Sequence, residues 1–199
     1  MRDDQKMTEE ISRRILDAAE ARFRTYGFGK TAMAEIASDL DMSTANLYRY
    51  FENKLAIGVA MAERCFCGRA SILTEIVARS GISESERLMA FVLAMLEYEY
   101  GQFNNEPKLL ELVDVIVQKR PGLIQVEVEG NKKFIASILR QGCESGEFEV
   151  DDADETASYV LSAVAKFSTP FFITMYPIEE LQRQAKGVVA LILKGLVKK

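Results

Sequence analysis

Ser43-Thr44-Ala45-Asn46-Leu47-Tyr48-Arg49-Tyr50-Phe51-Glu52-Asn53-Lys54 reads as a short amphipathic helix followed at once by the start of another. Ser43 is an N-cap residue, because its hydroxyl can accept from a free first-turn amide. Leu47 and Phe51 fall one turn apart and form the inner edge, with the helix running to about Phe51. Asn53 caps a further helix beginning at Lys54. Upstream, Asp41-Met42 is a turn, and Met33, Ile36, Ala37 and Leu40 give a short helix its inward face, with Thr31 as its capping residue. Before it a longer helix runs from about Thr8 to Tyr26. Thr8 caps it, and Ile11, Ile15, Ala19, Phe23 and Tyr26 share one face. Gly27 suits the left-handed position after its end, and Phe28 covers its last turn. Three capped helices in the first 52 residues, the last two joined by a tight turn, form a helix-turn-helix pattern.

The rest of the 199-residue chain is also helical in period. The expected spans are 54–79, 84–103, 107–118, 122–143, 153–175 and 177–197, with a kink at Pro170 and with Pro177 as the first residue of the last helix. The fold class is therefore all-α. A three-helix helix-turn-helix domain, residues 1–53, precedes a six-helix ligand-binding and dimerisation domain, residues 54–199.

Composition narrows the function. Hydrophobic residues make up 48% and charged residues 28%, as in a globular chain. The longest apolar run, Leu88 to Leu96, is too short to span a bilayer, so no membrane partner is expected. No apolar signal core follows the first residues, and Cys65, Cys67 and Cys143 are not spaced as a framework. A cytoplasmic protein with reduced thiols is expected. Histidine is absent, which removes the usual triads and His-type zinc sites. With no nucleophile–base pair visible, an enzyme is not expected. There is no glycine-rich phosphate loop and no paired metal ligand set, so neither cofactor nor metal is expected.

The capped helix at Ser43 supplies a docking surface. Thr44, Ala45 and Asn46 occupy its first turn, which in helix-turn-helix docking meets base edges. Asn46 can pair bidentately with adenine, worth about 1–3 kcal/mol of discrimination. Thr44 and Ala45 can touch a thymine methyl. Tyr48, Arg49 and Tyr50 can reach phosphate, as can Lys54 at the next helix start and Thr31 at the corresponding place on the second helix. The alternative is a three-helix cap whose tyrosines merely pack, but Tyr48 and Tyr50 lie off the Leu47/Phe51 edge. Residues 1–54 hold nine Lys/Arg against ten Asp/Glu, so few phosphate contacts and a shallow salt dependence are expected. One short helix reads too few bases alone. A two-fold pair on palindromic double-stranded DNA is the physical solution.

From Ile15 to Lys54 the sequence resembles the DNA-binding domain of the TetR family of bacterial transcriptional regulators. The resemblance rests on Ile15-Leu16-Asp17-Ala18-Ala19, Phe23, Tyr26-Gly27-Phe28, Thr31, Glu35-Ile36-Ala37, Ser43, and Leu47 through Lys54. Asp41 departs from it, since the family commonly has Gly in that turn. Asp tolerates left-handed geometry better than most residues. The resemblance implies a homodimer, an all-helical effector domain, and a repressor released from its operator by a ligand. The alternative is a helical module that uses the same surface to bind protein.

Two further sets of residues follow from periodicity. Val160, Val164 and Phe171, with Leu181, Val188 and Ile192 on the last helix, give more apolar face than one partner helix covers. They are candidates for the dimer interface, with intrachain core as the other reading. Met61, Phe66, Phe91, Met95, Tyr98, Phe103 and Phe134 are candidates for a pocket taking a small apolar or aromatic effector, although such stripes are more often core. Asp114 and Lys166 join that set because each sits in an apolar run. They either pair, or meet a ligand, or lie on an exposed edge.

Overall fold

A computed structural model describes residues 2–198, and the side chains of residues 5–198. Among these the chain is 77% helical with no strand. The helices are α1 (Arg2–Tyr26), α2 (Met33–Ser38), α3 (Thr44–Leu47), α4 (Lys54–Val77), α5 (Glu84–Phe103), α6 (Leu109–Lys119), α7 (Pro121–Glu144), α8 (Ala153–Val164), α9 (Pro170–Ile173) and α10 (Ile178–Leu196). They fall into two compact units: Met1–Cys65 with Glu106–Pro121, and Phe66–Asn105 with Gly122–Lys199.

The first unit is built on Ile15, Ala19 and Phe23 of α1, which are fully buried with Ile36, Leu47 and Ile57. α1 starts well before Thr8, so Thr8 lies inside the helix and is not its cap. Tyr26, expected on the inner face, is exposed at the helix end, with the Arg22 guanidinium 5.7 Å from its ring centre. Gly27 ends α1 at φ +90°, with its N–H donating to the Phe23 carbonyl at 3.0 Å. Phe28 then folds back to put its ring 5.2 Å from that of Phe23. This is the expected left-handed end with its apolar cover.

α2 ends in a paired-bond motif. Met42 N–H donates to the Ala37 carbonyl at 3.0 Å and Asp41 N–H to that of Ser38 at 3.2 Å. Such a motif requires positive φ at its penultimate residue, and Asp41 has φ +53°. The aspartate thus occupies the conformation that glycine would fill more cheaply.

The second unit packs α5, α7, α8 and α10 around a core that includes Phe91, Met95, Ile135 and Val189. Its joints are charged. Arg87, buried near the start of α5, donates to the Val77 carbonyl at 2.6 Å and that of Arg79 at 2.5 Å, closing the end of α4. Glu147, in the loop after α7, accepts from the amides of Glu84 and Ser85 at 2.8 and 2.9 Å and so caps α5 from outside its own helix.

The single helix expected over 153–175 is three pieces. α8 ends at Val164, residues 165–167 form one tight 3-10 turn, and α9 starts at Pro170. A continuous helix would need residue 170 to donate to the carbonyl of residue 166, and proline has no N–H to give. The Ser168 and Thr169 hydroxyls instead both donate to the Ala165 carbonyl, at 3.3 and 2.7 Å. The result is a break rather than a kink. Pro177 is the N-cap of α10 rather than its first residue, one position from expectation, and Pro121 opens α7 rather than lying in the preceding break.

Candidate nucleic-acid interface

α3 is the short rod of the helix-turn-helix. The Ser43 hydroxyl accepts from Asn46 N–H at 3.1 Å, as its capping role predicts. Leu47 is wholly buried and pins the rod to the unit. Beyond α3 the chain continues in hydrogen-bonded turns, Tyr50 N–H and Phe51 N–H both donating to the Leu47 carbonyl. Asn53 Oδ1 then accepts from Ala56 N–H at 2.9 Å and starts α4.

Around that anchor Ala45, Tyr48 and Arg49 are exposed, while Thr44, Asn46 and Tyr50 are half-buried. Tyr48 keeps 50% of its surface open. Arg49 has no ion-pair partner among the described residues. Several acids of this unit are held in ion pairs. Arg64 pairs with Asp17 and Glu20, both at 2.6 Å, and Arg22 holds Asp39. The arginine beside it keeps the Asp39 carboxyl below its ordinary range through a direct hydrogen bond. Arg49 thus stands open beside the reading rod while Asp17, Glu20 and Asp39 are paired elsewhere in the unit.

Two expected phosphate contacts sit elsewhere. Thr31 is buried, and its hydroxyl donates to the Gly27 carbonyl at 2.9 Å. It does not cap α2, whose N-cap is Ala32. The Glu35 carboxylate accepts from Ala32 N–H at 2.7 Å and does that work. Lys54 donates through Nζ to the carbonyls of Phe28 (2.5 Å) and Thr31 (2.7 Å), with Gly29 at 3.3 Å. Burial pushes its pKa below the ordinary lysine value, with Glu111 and Glu35 pulling the other way.

α6 closes over the same turn within this unit. Glu111 Oε2 accepts from Gly29 N–H at 3.0 Å, and Leu112 lies against Gly58. Nothing in the periodicity of α6 marks this, because Glu111 lies off the buried face of Leu109, Leu112 and Ile116.

The expected effector residues divide between the units. Met61 and Asp114 belong to the first. Phe91 and Met95 are fully buried core of the second, with the Phe91 and Phe134 rings 6.1 Å apart and Phe103 packed at the edge. Phe66 and Tyr98 are half-buried. Asp114 is exposed and accepts from Gln118 Nε2 at 2.7 Å, one turn away. Lys166 donates to Gln184 Oε1 at 2.7 Å and stands 4.0 Å over the Tyr176 ring. The edge reading holds for Asp114, and each of the two charges has a local partner.

Of the expected interface residues, Val160, Val164 and Leu181 are buried inside this chain's own core. Val188 and Ile192 are half-buried and Phe171 is exposed. Between α8 and α10 runs an open groove of about 590 Å³, lined by Ala163, Gly187, Val188, Ala190 and Leu191 with Lys166 and Lys194. Leu191, 68% exposed, stands on its rim.

A capped, pinned, outward-facing rod after a tight turn is a helix-turn-helix. Comparison with known proteins gives the family. Residues 15–61 match the family model of bacterial regulatory proteins of the tetR family, and residues 85–189 match that of the tetracyclin repressor-like C-terminal domain. The chain belongs to the TetR family of transcriptional regulators. It is 25% identical over 195 residues to the uncharacterized HTH-type transcriptional regulator YdgC of Bacillus subtilis (strain 168), covering 96% of this chain and 94% of that one. A transcriptional regulator from Cytophaga hutchinsonii ATCC 33406 shares the fold, with a TM-score of 0.75, 24% identity, and 92% and 97% of the two chains covered. So does SmeT, solved as a complex with triclosan, with a TM-score of 0.66, 17% identity, and 94% and 92% covered. Regulators of this family are DNA-binding proteins rather than enzymes. No helix among the described residues is long and apolar enough to cross a membrane.

Proposed function

We propose that this chain is a cytoplasmic, homodimeric repressor that leaves a palindromic operator when a small apolar or aromatic effector binds. Residues 1–53 read DNA and residues 54–199 respond and pair. The division by role differs from the division by packing, because 106–121 pack with the reading residues. The observation carrying the proposal is the exposed set Ala45, Tyr48 and Arg49 beside Thr44, Asn46 and Tyr50, on a rod fixed by Ser43 and Leu47. Thr31 and Lys54 serve it by holding the turn before α2. Pairing uses the groove between α8 and α10, lined by Val188 and Leu191, together with the half-buried Ile192 and the exposed Phe171 outside it. Two such faces on a two-fold axis bury each other's apolar area. The triclosan complex of a neighbour with the same fold supports an aromatic effector. Coupling of about 1–3 kcal/mol would change operator affinity about 5- to 150-fold.

The test is selection of genomic fragments on the purified protein, followed by gel shifts. Enriched fragments share an inverted repeat, and Asn46→Ala and Tyr48→Ala lose retention while keeping the wild-type melting temperature. Absence of an inverted repeat, or equal retention by both variants, overturns the reading.

A further inference from the structure

Three helices of the second unit converge on one guanidinium that the DNA-reading surface does not use. Arg69 of α4 is 4% exposed and Glu99 of α5 is 2% exposed. Arg69 pairs with Glu99 through Nη1 and with Glu127 of α7 through Nη2. Asn131, one turn along α7, donates from Nδ2 to Glu127 Oε1 at 3.2 Å. The Phe66 ring faces the guanidinium, its centre 5.5 Å from Cζ. Phe66 and Glu127 are only partly covered, so the cluster is reached from their side.

Two features of this cluster have no structural use. Two carboxylates against one guanidinium leave it formally at −1, and buried charge in excess of its partner is costly. The Arg69 Nε–H is buried with no acceptor, although two acids lie beside it. A buried donor left empty carries the full desolvation penalty of that group. The missing partner is an acceptor that the described chain does not supply.

We propose that Arg69 Nε is the polar anchor of the effector site and donates to an uncharged oxygen, a carbonyl or ether, of an apolar or aromatic ligand whose body packs beside Phe66. This rests on the effector reading above and adds the ligand's chemistry. A carboxylate ligand would bring a third negative charge to a cluster already at −1. An ammonium ligand would suit the net charge but has no lone pair for Nε–H. A neutral acceptor fills the empty donor and adds no further charge.

Three probes that share a benzene ring separate these cases: acetophenone, benzoate and benzylamine. Binding to the full chain is followed by titration with ligand-observed NMR. Acetophenone binds wild type about tenfold more tightly than the other two. Arg69→Lys keeps the charge but has no N–H at that place, and it loses acetophenone about tenfold. Glu127→Gln sheds one charge and keeps an oxygen for Arg69, so the preference for acetophenone over benzoate falls about tenfold, to near parity. If Arg69→Lys does not fold, the loss of the preference for acetophenone over benzoate in Glu127→Gln still decides. Preference of wild type for benzoate or benzylamine, binding of none of the three, or an undiminished preference for acetophenone over benzoate in Glu127→Gln overturns the assignment. Operator retention without any probe is measured alongside. Its loss counts against the DNA reading, whereas failure of the probes alone counts only against this ligand chemistry.

Discussion

Lys54→Met separates two roles for a residue placed next to the reading rod. Its ammonium makes two close bonds, to the carbonyls of Phe28 and Thr31, and stands 4.5 Å from the Phe28 ring centre. Hydrogen bonds to a charged group contribute about 1.5–3 kcal/mol each. Drying the ammonium offsets part of this, and the lowered lysine pKa reports that cost. A net loss of about 2 kcal/mol is expected, since two carbonyls lose their donor. For a chain of this size that lowers the melting temperature by about 4–8 °C. A residue that instead held phosphate would contribute about 0.9 per subunit to the slope of log affinity against log salt. The assay is therefore a pair: thermal melting of the free protein, and operator binding across a salt series. The expected result is a lower melting temperature, weaker binding and an unchanged salt slope. An unchanged melting temperature with a slope shallower by about 1.8 per dimer would refute the positioning role and return Lys54 to the phosphates.

Gly27→Ala places a Cβ 2.6 Å from Glu111 Oε2 at φ +90°, and urea unfolding should show a loss of about 2 kcal/mol or more. Glu147 is pushed up by burial but held below the ordinary glutamate value by its bonds from Ser85 and Glu84. A depressed carboxylate stabilises the fold above its unfolded pKa and loses that contribution as pH falls through its folded pKa. Glu147→Gln should therefore cost about 1–2 kcal/mol at neutral pH and flatten the acid limb below about pH 5, read by denaturation across pH. Leu191→Asp puts a charge on the groove rim, and sedimentation should find monomer where wild type is a dimer, with wild-type helicity by circular dichroism.

Much of this architecture could be read from residue order because its signals are local. Ser43, Asn53 and Gly27 act on amides or carbonyls within a few positions, and each does what its type predicts. Asp41 does the same despite not being glycine. The failures come from contacts that sequence spacing cannot carry. Thr31 and Lys54 were polar residues at helix starts, which suits phosphate, but the nearer acceptors are carbonyls of the turn they flank. The 153–175 pattern hid its break because Ser168 and Thr169 compete for the Ala165 carbonyl just where proline withdraws a donor. Val160, Val164 and Leu181 show that an apolar stripe names what is buried and not which chain buries it. The Arg69 cluster does leave a trace in the sequence. Arg69 lies on the stripe of Leu73 and Ile76, and Glu99 on that of Val92, Met95 and Leu96. A charge in register with a buried stripe signals a partner in register with another.

Because α6 latches onto the turn at Gly27–Gly29 through Glu111 and onto Gly58 through Leu112, the reading head is not a detachable cassette. A chimaera that transplants only the first sixty-odd residues onto a foreign sensor would leave that turn uncovered. In this chain the head keeps its packing across an exchange of sequence only if the distant stretch of the gene encoding 106–121 travels with it.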